Sequence, residues 1–380
     1  MSQLLAVIGL ALTTPARAAP QSAPAAPPLP AGRQGPAAPA GPAAGEQSAP
    51  SGAPVVEVTE STVTVGARSA PVFKATGPAG LPFVRGKRGG RLRFEVHNAT
   101  SLPITMHPHG VVLPWTQDGV PFVTQVPIPP GGRFLYDFAP RQAGTFFLHS
   151  HYGWELQDQL VIPLLLDGDV PAGPTMRDVP VVITDFTFRS PPVIFRTLRE
   201  RSIPMPAPGA AMPPPDLNDV EYDAIPVNGR PAEAADVIRV GPKERLRLRL
   251  INASAATNRR VELGGLSGAA ISVDGTDIQP VPGGVWELAV AQRLDVRVEV
   301  PASGGPWTLK VLGEGSTLRA GVVLALPGQV PPAVPSRAAA PSAAIGTGYE
   351  QERRFRAATP LAPRPAARTL QVPLTGEMRG

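Results

Sequence analysis

Two stretches of this chain, 154 residues apart, read almost alike: RLRFEVHNAT (91–100) and RLRLRLINAS (245–254). Arg91, Leu92, Arg93, Asn98 and Ala99 recur as Arg245, Leu246, Arg247, Asn252 and Ala253. Two further matches follow in order. Asp118-Gly119 returns as Asp274-Gly275 at an offset of 156, and APRQAGTFFLHSH (139–151) parallels VPASGGPWTLKVL (300–312) at 161. Ordered matches with a slowly growing offset mean that one fold is used twice.

Each copy alternates polar and apolar residues over short runs, the period that sends side chains to the two faces of a strand. Among 380 residues, 50 prolines and 39 glycines leave little room for helices, because proline lacks the backbone donor a helix interior needs. The prediction is an all-β chain of two tandem Greek-key β-sandwich or barrel domains, over 55–168 and 179–327. Prolines cluster at 19–54, 203–216 and 327–341, which reads as tether, loop and linker, the linker spanning 328–345. Met205 and Met212, in the middle cluster, read as loop filler. Residues 346–380 hold one strand-like run, RTLQVPL (368–374), and read as the beginning of a truncated third domain.

At the N-terminus, LLAVIGLAL (4–12) is apolar but too short to span a bilayer, and Ala16-Arg17-Ala18 has the small-x-small cleavage pattern. A signal peptide over 1–18 and a disordered Pro/Ala-rich tether over 19–54 are expected, placing the chain in the periplasm or outside the cell with no transmembrane segment. The net charge of +5 is spread thinly. Its densest run, VRGKRGGRLRF (84–94), alternates Arg91 and Arg93 with Leu92 and Phe94, so it reads as a solvated strand face rather than a nucleic-acid footprint. The absence of cysteine excludes disulfides, thiolate nucleophiles and metal sites built on Cys sulfur.

Four of the five histidines form two pairs, in MHPHG (106–110) and FLHSH (147–151). In a strand, residues i and i+2 project from one face about 6.6 Å apart, so His149 and His151 point together, with Phe147 beside them. Pro108 forces an extended or turning backbone that lets His107 and His109 converge likewise. Counting on at the 154 and 161 offsets, His107 falls opposite Val261 and His149 opposite Lys310, so the second copy forms without these imidazoles. Four neutral imidazoles facing one cleft suit zinc, copper, nickel or iron(II). His97, alternating outward with Arg91, Arg93 and Glu95, reads as a surface residue.

At this point the chain resembles a known family. MHPHG, QDGVPFVTQVPIPPGG (117–132) and GTFFLHSHYGWELQDQLVIPLLL (144–166) look like the first cupredoxin domain of multicopper oxidases. VNGR (227–230), LRLRLINASAAT (246–257) and AISVDG (270–275) look like the second domain of the bacterial three-domain members, the laccase-like and copper-resistance oxidases. The resemblance implies copper: His107 on a type 2 ion, and His109, His149 and His151 on a type 3 pair. The remaining cluster ligands and the cysteine-bound type 1 copper belong to the last domain of that family, and their motifs have no match here. The complete enzymes couple one-electron oxidation of a substrate to four-electron reduction of O2 to water.

The resemblance therefore implies half of a trinuclear site and no blue copper, so this polypeptide alone is not expected to turn over. A separate chain supplying the third domain is one way to complete it. The competing expectation is a non-catalytic exported cupredoxin scaffold or copper-binding protein. A two-domain laccase that trimerises is excluded, because 179–327 holds neither histidine nor cysteine. Asp118 is a candidate proton donor by position in the family, against a plain Asp-Gly turn, which the copy Asp274-Gly275 repeats beside no ligand. Glu155 and Asp158 are further candidate acids behind the second histidine pair.

Overall fold

The computed structural model describes residues 52–168, 175–200, 217–346 and 349–373. The signal peptide, most of the tether, Met205 and Met212 fall outside these ranges. The first repeat builds β1 (Val55–Val65), β2 (Arg68–Thr76), β3 (Val84–Lys87), β4 (Leu92–Asn98), β5 (His107–His109), β6 (Arg133–Phe138), β7 (Gly144–His149) and β8 (Val161–Asp167). They form two four-stranded sheets, ordered β2-β1-β4-β6 and β3-β8-β7-β5. Alternation explains how the sheets meet. Val56, Phe94, Val96, Tyr136 and Phe138 from the first sheet close one core with Phe146, Leu148, Ile162 and Leu164 from the second.

The second repeat builds β9 (Arg177–Ile183), the helix α1 (Pro191–Glu200), β10 (Val237–Arg239), β11 (Arg245–Asn252), β12 (Arg259–Glu262) and β13 (Gly268–Val273). It continues with β14 (Thr276–Gly283), β15 (Val285–Leu288), β16 (Arg293–Glu299), β17 (Trp307–Gly313) and β18 (Arg319–Ala325). Its sheets are five-stranded, β14-β13-β16-β11-β9 and β10-β18-β17-β12-β15. The wiring is the same in both copies. β1 runs parallel beside β4, which pairs antiparallel with β6. Likewise β9 runs parallel beside β11, which pairs antiparallel with β16.

Strand register corrects one residue equivalence. β5 and β7 place His107 opposite His149, while β12 and β17 place Glu262 opposite Lys310. Met106 and Val261 are both core residues, as are Leu148 and Leu309. Matching like faces makes Glu262, not Val261, the counterpart of His107. A slip of one residue would have turned the strand inside out. Where the first domain holds two imidazoles, the second holds an ion pair, Lys310 Nζ to Glu262 Oε2 at 3.8 Å.

The tail also differs from expectation. Residues 368–373 are exposed and irregular, since an alternating run forms a strand only where a neighbour offers a ladder. Much of the stretch read as linker and third-domain start is laid on the second domain instead. Ser336 O accepts from Arg319 N and Thr317 O from Ala338 N, both at 2.8 Å, and Val334 is buried with Ala232 and Val323. Arg356 O accepts from Gln279 N at 2.8 Å, and Phe355 packs on the second core.

The two sandwiches meet along the outward face of β7. Phe147 joins Val182, Ile251 and Ala253 in a small apolar cluster. Beside it, the Thr145 hydroxyl donates to Asp295 Oδ1 at 2.5 Å and accepts from Arg249 Nη1 at 3.0 Å. Asp295 also holds Arg247 at 2.6 Å, and Asp178 holds Arg249 at 2.7 Å and Arg85 at 2.8 Å. So the basic run at 84–94 is tied to acids: Arg85 to this seam and Arg91 to Asp137 at 2.6 Å. Burial raises the Asp178 pKa, but the hydrogen bonds and charges of Arg249 and Arg85 outweigh it and hold the carboxyl below its usual value.

A carboxylate whose pKa is depressed on folding stabilises the fold above its unfolded pKa and loses that contribution as pH falls. Asp178→Asn, which strands Arg249 with a weaker partner, is expected to cost about 3 kcal/mol at neutral pH. The cost should shrink progressively below about pH 4. Denaturant unfolding of both chains across that range checks it.

Candidate metal centre

β5 and β7 lie side by side at the end of the first domain's second sheet, and their outward faces carry the paired histidines. His107 is directly opposite His149, and His109 is opposite Phe147, on whose ring it stacks at a centroid distance of 4.6 Å. The chain then leaves β7, and His151 is fixed by its backbone N–H, which donates to Thr105 Oγ1 at 3.1 Å. Ring centroids of His107 lie 5.7 Å from His109, 5.4 Å from His149 and 4.5 Å from His151. His149 and His151 are 4.7 Å apart. One ring nitrogen from each of His107, His109 and His149 falls in a group spanning at most 4.8 Å.

Two backbone carbonyls set the orientation of the rings. His107 Nδ1 donates to Asp118 O at 2.6 Å, and His149 Nδ1 donates to Ser150 O at 3.1 Å. In both, Nε2 keeps the lone pair that a metal takes, the arrangement in which a second contact fixes the ligating tautomer. His109 Nδ1 meets His149 Nε2 at 3.1 Å. Burial pushes the His109 pKa down to about 4, with the charges of Arg293, His107 and His151 adding to the effect. Burial, then its histidine neighbours, pushes His149 down to about 3, and burial lowers His151 too. His109 and His149 are therefore neutral in all but acid solution. The donor set of several neutral imidazoles without a carboxylate fits copper or another imidazole-seeking transition ion, and not calcium or magnesium.

The structure sorts the remaining sequence expectations. His97 stands apart from the four, half-buried on β4, with Nδ1 2.9 Å from Glu57 Oε2. Asp118 does two things. Its carbonyl orients His107, and its side chain Oδ1 lies 3.4 Å from the same Nδ1. The turn it opens needs glycine next, since Gly119 has φ +73° and a Cβ there would collide with the carbonyl of Met106. Glu155 is buried beneath the second pair, accepting from Ser150 Oγ at 3.2 Å, and burial raises its pKa. Burial raises Asp158 likewise, and its backbone is tied to Trp154 and Phe73.

Arg293 of the second domain was not singled out by sequence, yet its charge reaches His109. Asp274-Gly275 also meets the first domain. Gly275 packs so close to Gly144 of β7 that a Cβ on Gly144 would sit 2.6 Å from Gly275 Cα. Only the side-by-side placement of the two copies reveals either.

Residues 57–168 match one multicopper oxidase domain family and residues 178–323 match another. Copper resistance protein A of Pseudomonas syringae pv. tomato is 30% identical over 67% of this chain and 48% of its own length. Multicopper oxidase MmcO of Mycobacterium tuberculosis is 29% identical over 66% of this chain and 52% of its own length. The chain thus spans about half the length of the curated relatives it matches. Among solved structures, a multi-copper oxidase from Pseudomonas thermotolerans aligns with a TM-score of 0.54 at 25% identity, over 74% of this chain and 67% of that one. Fet3p, a multicopper oxidase that functions in iron import, shares the fold with a TM-score of 0.59 at 18% identity, over 76% and 55% of the two chains.

Gly119→Ala should displace the Asp118 carbonyl that aims His107. The expected cost is at least about 2 kcal/mol of stability, because a left-handed backbone and a carbonyl clash are imposed together. Unfolding by denaturant measures that cost, and loss of the Asp118–His107 contact should show in the His107 ring resonances.

Proposed function

Because the chain belongs to the multicopper oxidase family, we propose that His107, His109, His149 and His151 are the copper ligands its first domain contributes to an oxidase that uses O2 as acceptor. The observation that carries this reading is the meeting of four imidazole rings, three from two paired strands and one just past the end of β7, at a place where the second copy of the same fold has Glu262 and Lys310. His107 serves a type 2 ion, and His109, His149 and His151 serve a type 3 pair. Copper held there would supply the one-electron redox chemistry by which four electrons from a reducing substrate, with four protons, take O2 to two waters.

Everything else the protein does at this place is positioning. The Asp118 and Ser150 carbonyls fix which nitrogen of His107 and His149 faces the metal. The Asp118 carboxylate, 3.4 Å from His107 Nδ1, is placed to pass protons toward the site. Phe147, stacked on His109 and His149, keeps water from one side of the rings. The ligand-bearing domain is 55–168 and the ligand-free domain is 179–327.

A further cupredoxin domain, on a separate chain or on a longer form of this one, supplies the remaining cluster ligands and a cysteine-bound type 1 copper. The reducing substrate meets that further domain. The complex works outside the cytoplasm, reached through the N-terminal leader. Among the described residues, no helix is long and apolar enough to cross a membrane.

Titrated with copper, the purified chain should take up metal with a type 2-like EPR signal and no intense blue absorption, since it has no cysteine to give one. Replacing all four histidines by alanine should weaken uptake at least about 100-fold, while His97→Ala should leave it unchanged. Uptake that survives the quadruple replacement would falsify the assignment.

A further inference from the structure

Arg293 opens β16, yet its side chain leaves the second domain and ends against the first. It is 6% exposed. Nε donates to Thr145 O of β7 at 3.3 Å, and Nη1 donates to Ala291 O at 2.8 Å. Nη1 also lies 3.1 Å from Asp274 Oδ1, while the Arg293 backbone N–H donates to that same oxygen at 3.0 Å. The guanidinium is thus gripped by its own turn on one side and by β7 on the other.

The third nitrogen, Nη2, takes part in none of these bonds. It lies against Gly110, where a Cβ would stand 2.5 Å from it. Gly110 follows His109 directly and turns the chain at φ +79°. Glycine is required there twice over, by the backbone angle and by the arginine.

We propose that Arg293 is a positioning residue of the metal centre: its guanidinium holds the His109–Gly110 turn and sets a fixed positive charge behind it. The holding concerns the metal-free chain. The effect of the charge on bound metal rests on the reading of the four histidines as copper ligands. A lysine could supply charge but not the planar set of donors that reaches Thr145, Ala291 and Asp274 while leaving one edge against Gly110. A positive charge near a metal disfavours the more highly charged ion, so Arg293 tilts the site toward Cu(I).

The test uses the full chain carrying Arg293→Met, Arg293→Lys or Asp274→Asn. In the metal-free protein, amide exchange over 106–112 should rise about tenfold in both Arg293 variants, with β4 and β11 unchanged. Chelator competition with Cu(I) and with Cu(II) then reads the charge. Arg293→Met should raise the Cu(II)-to-Cu(I) affinity ratio about tenfold, Arg293→Lys should leave it in place, and Asp274→Asn should lower it. Asp274→Asn shifting the ratio in the same direction as Arg293→Met would mean simple loosening and overturn the electrostatic role. Unchanged exchange at 106–112 would overturn the holding role. Should Arg293→Met fail to fold, Arg293→Lys still decides the exchange result and Asp274→Asn the sign of the charge effect. A native chain that takes no copper through its histidines would sink the copper reading, while the exchange measurement still decides the hold.

Discussion

Asp295, almost wholly enclosed, joins Thr145 of one sandwich to Arg247 and Arg249 of the other, and the placement of β7 depends on it. β7 has two faces because side chains alternate along it. Phe146 and Leu148 fill the first domain's core. Thr145, Phe147 and His149 form the other face, and each has a different neighbour: the ionic seam, the apolar contact with Val182 and Ile251, and the histidine cluster. A domain without a single histidine therefore fixes the strand that presents one.

Burying this many charges is expensive, and a buried ion pair is weak evidence for stability, because desolvation can cancel the attraction. Its merit is in register. The apolar part of the seam is small, and Val, Ile, Ala and Phe side chains would accept several offsets at similar cost. Asp178 and Asp295 accept one, since each must meet its own arginines at hydrogen-bond distance. The second domain is thus seated where Arg293 reaches Gly110 and where Gly275 slides past Gly144, a contact with no room for a side chain on either partner.

The fold was legible because both of its signals are local or periodic: the alternation along each strand and the repeat of RLRFEVHNAT in RLRLRLINAS. The first histidine pair was legible for the same reason, since His107 and His109 share one face of β5, whereas His151 lies just past the end of β7 and reaches the others from there. The Val261 assignment failed by one residue because a gapless offset ignores the drift that loops introduce, which only the burial of Met106 and Val261 resolves. Residues 328–358 misled because proline-rich composition says how a segment runs, not what it covers, and Val334 and Phe355 are single apolar anchors in polar text. Arg293 was invisible for a different reason. An arginine among alternating residues reads as solvated surface, and its true neighbours lie some 150 to 180 residues away.

The two copies of the fold divide one task by chemistry. The first supplies lone pairs and no compensating carboxylate apart from Asp118, whose contact is with His107 Nδ1, the far side of the ring from the metal-facing nitrogen. Neutral ligands do not cancel the charge of a metal ion, and the second copy adds a buried guanidinium to the same region. With a metal bound, such a site would have a surplus of positive charge, to be met either by favouring the lower oxidation state or by drawing in a small anion such as hydroxide. Both tendencies would suit the copper centre proposed for these histidines. In the second copy, by contrast, Glu262 and Lys310 pair with each other at the equivalent positions, where the first copy has His107 and His149.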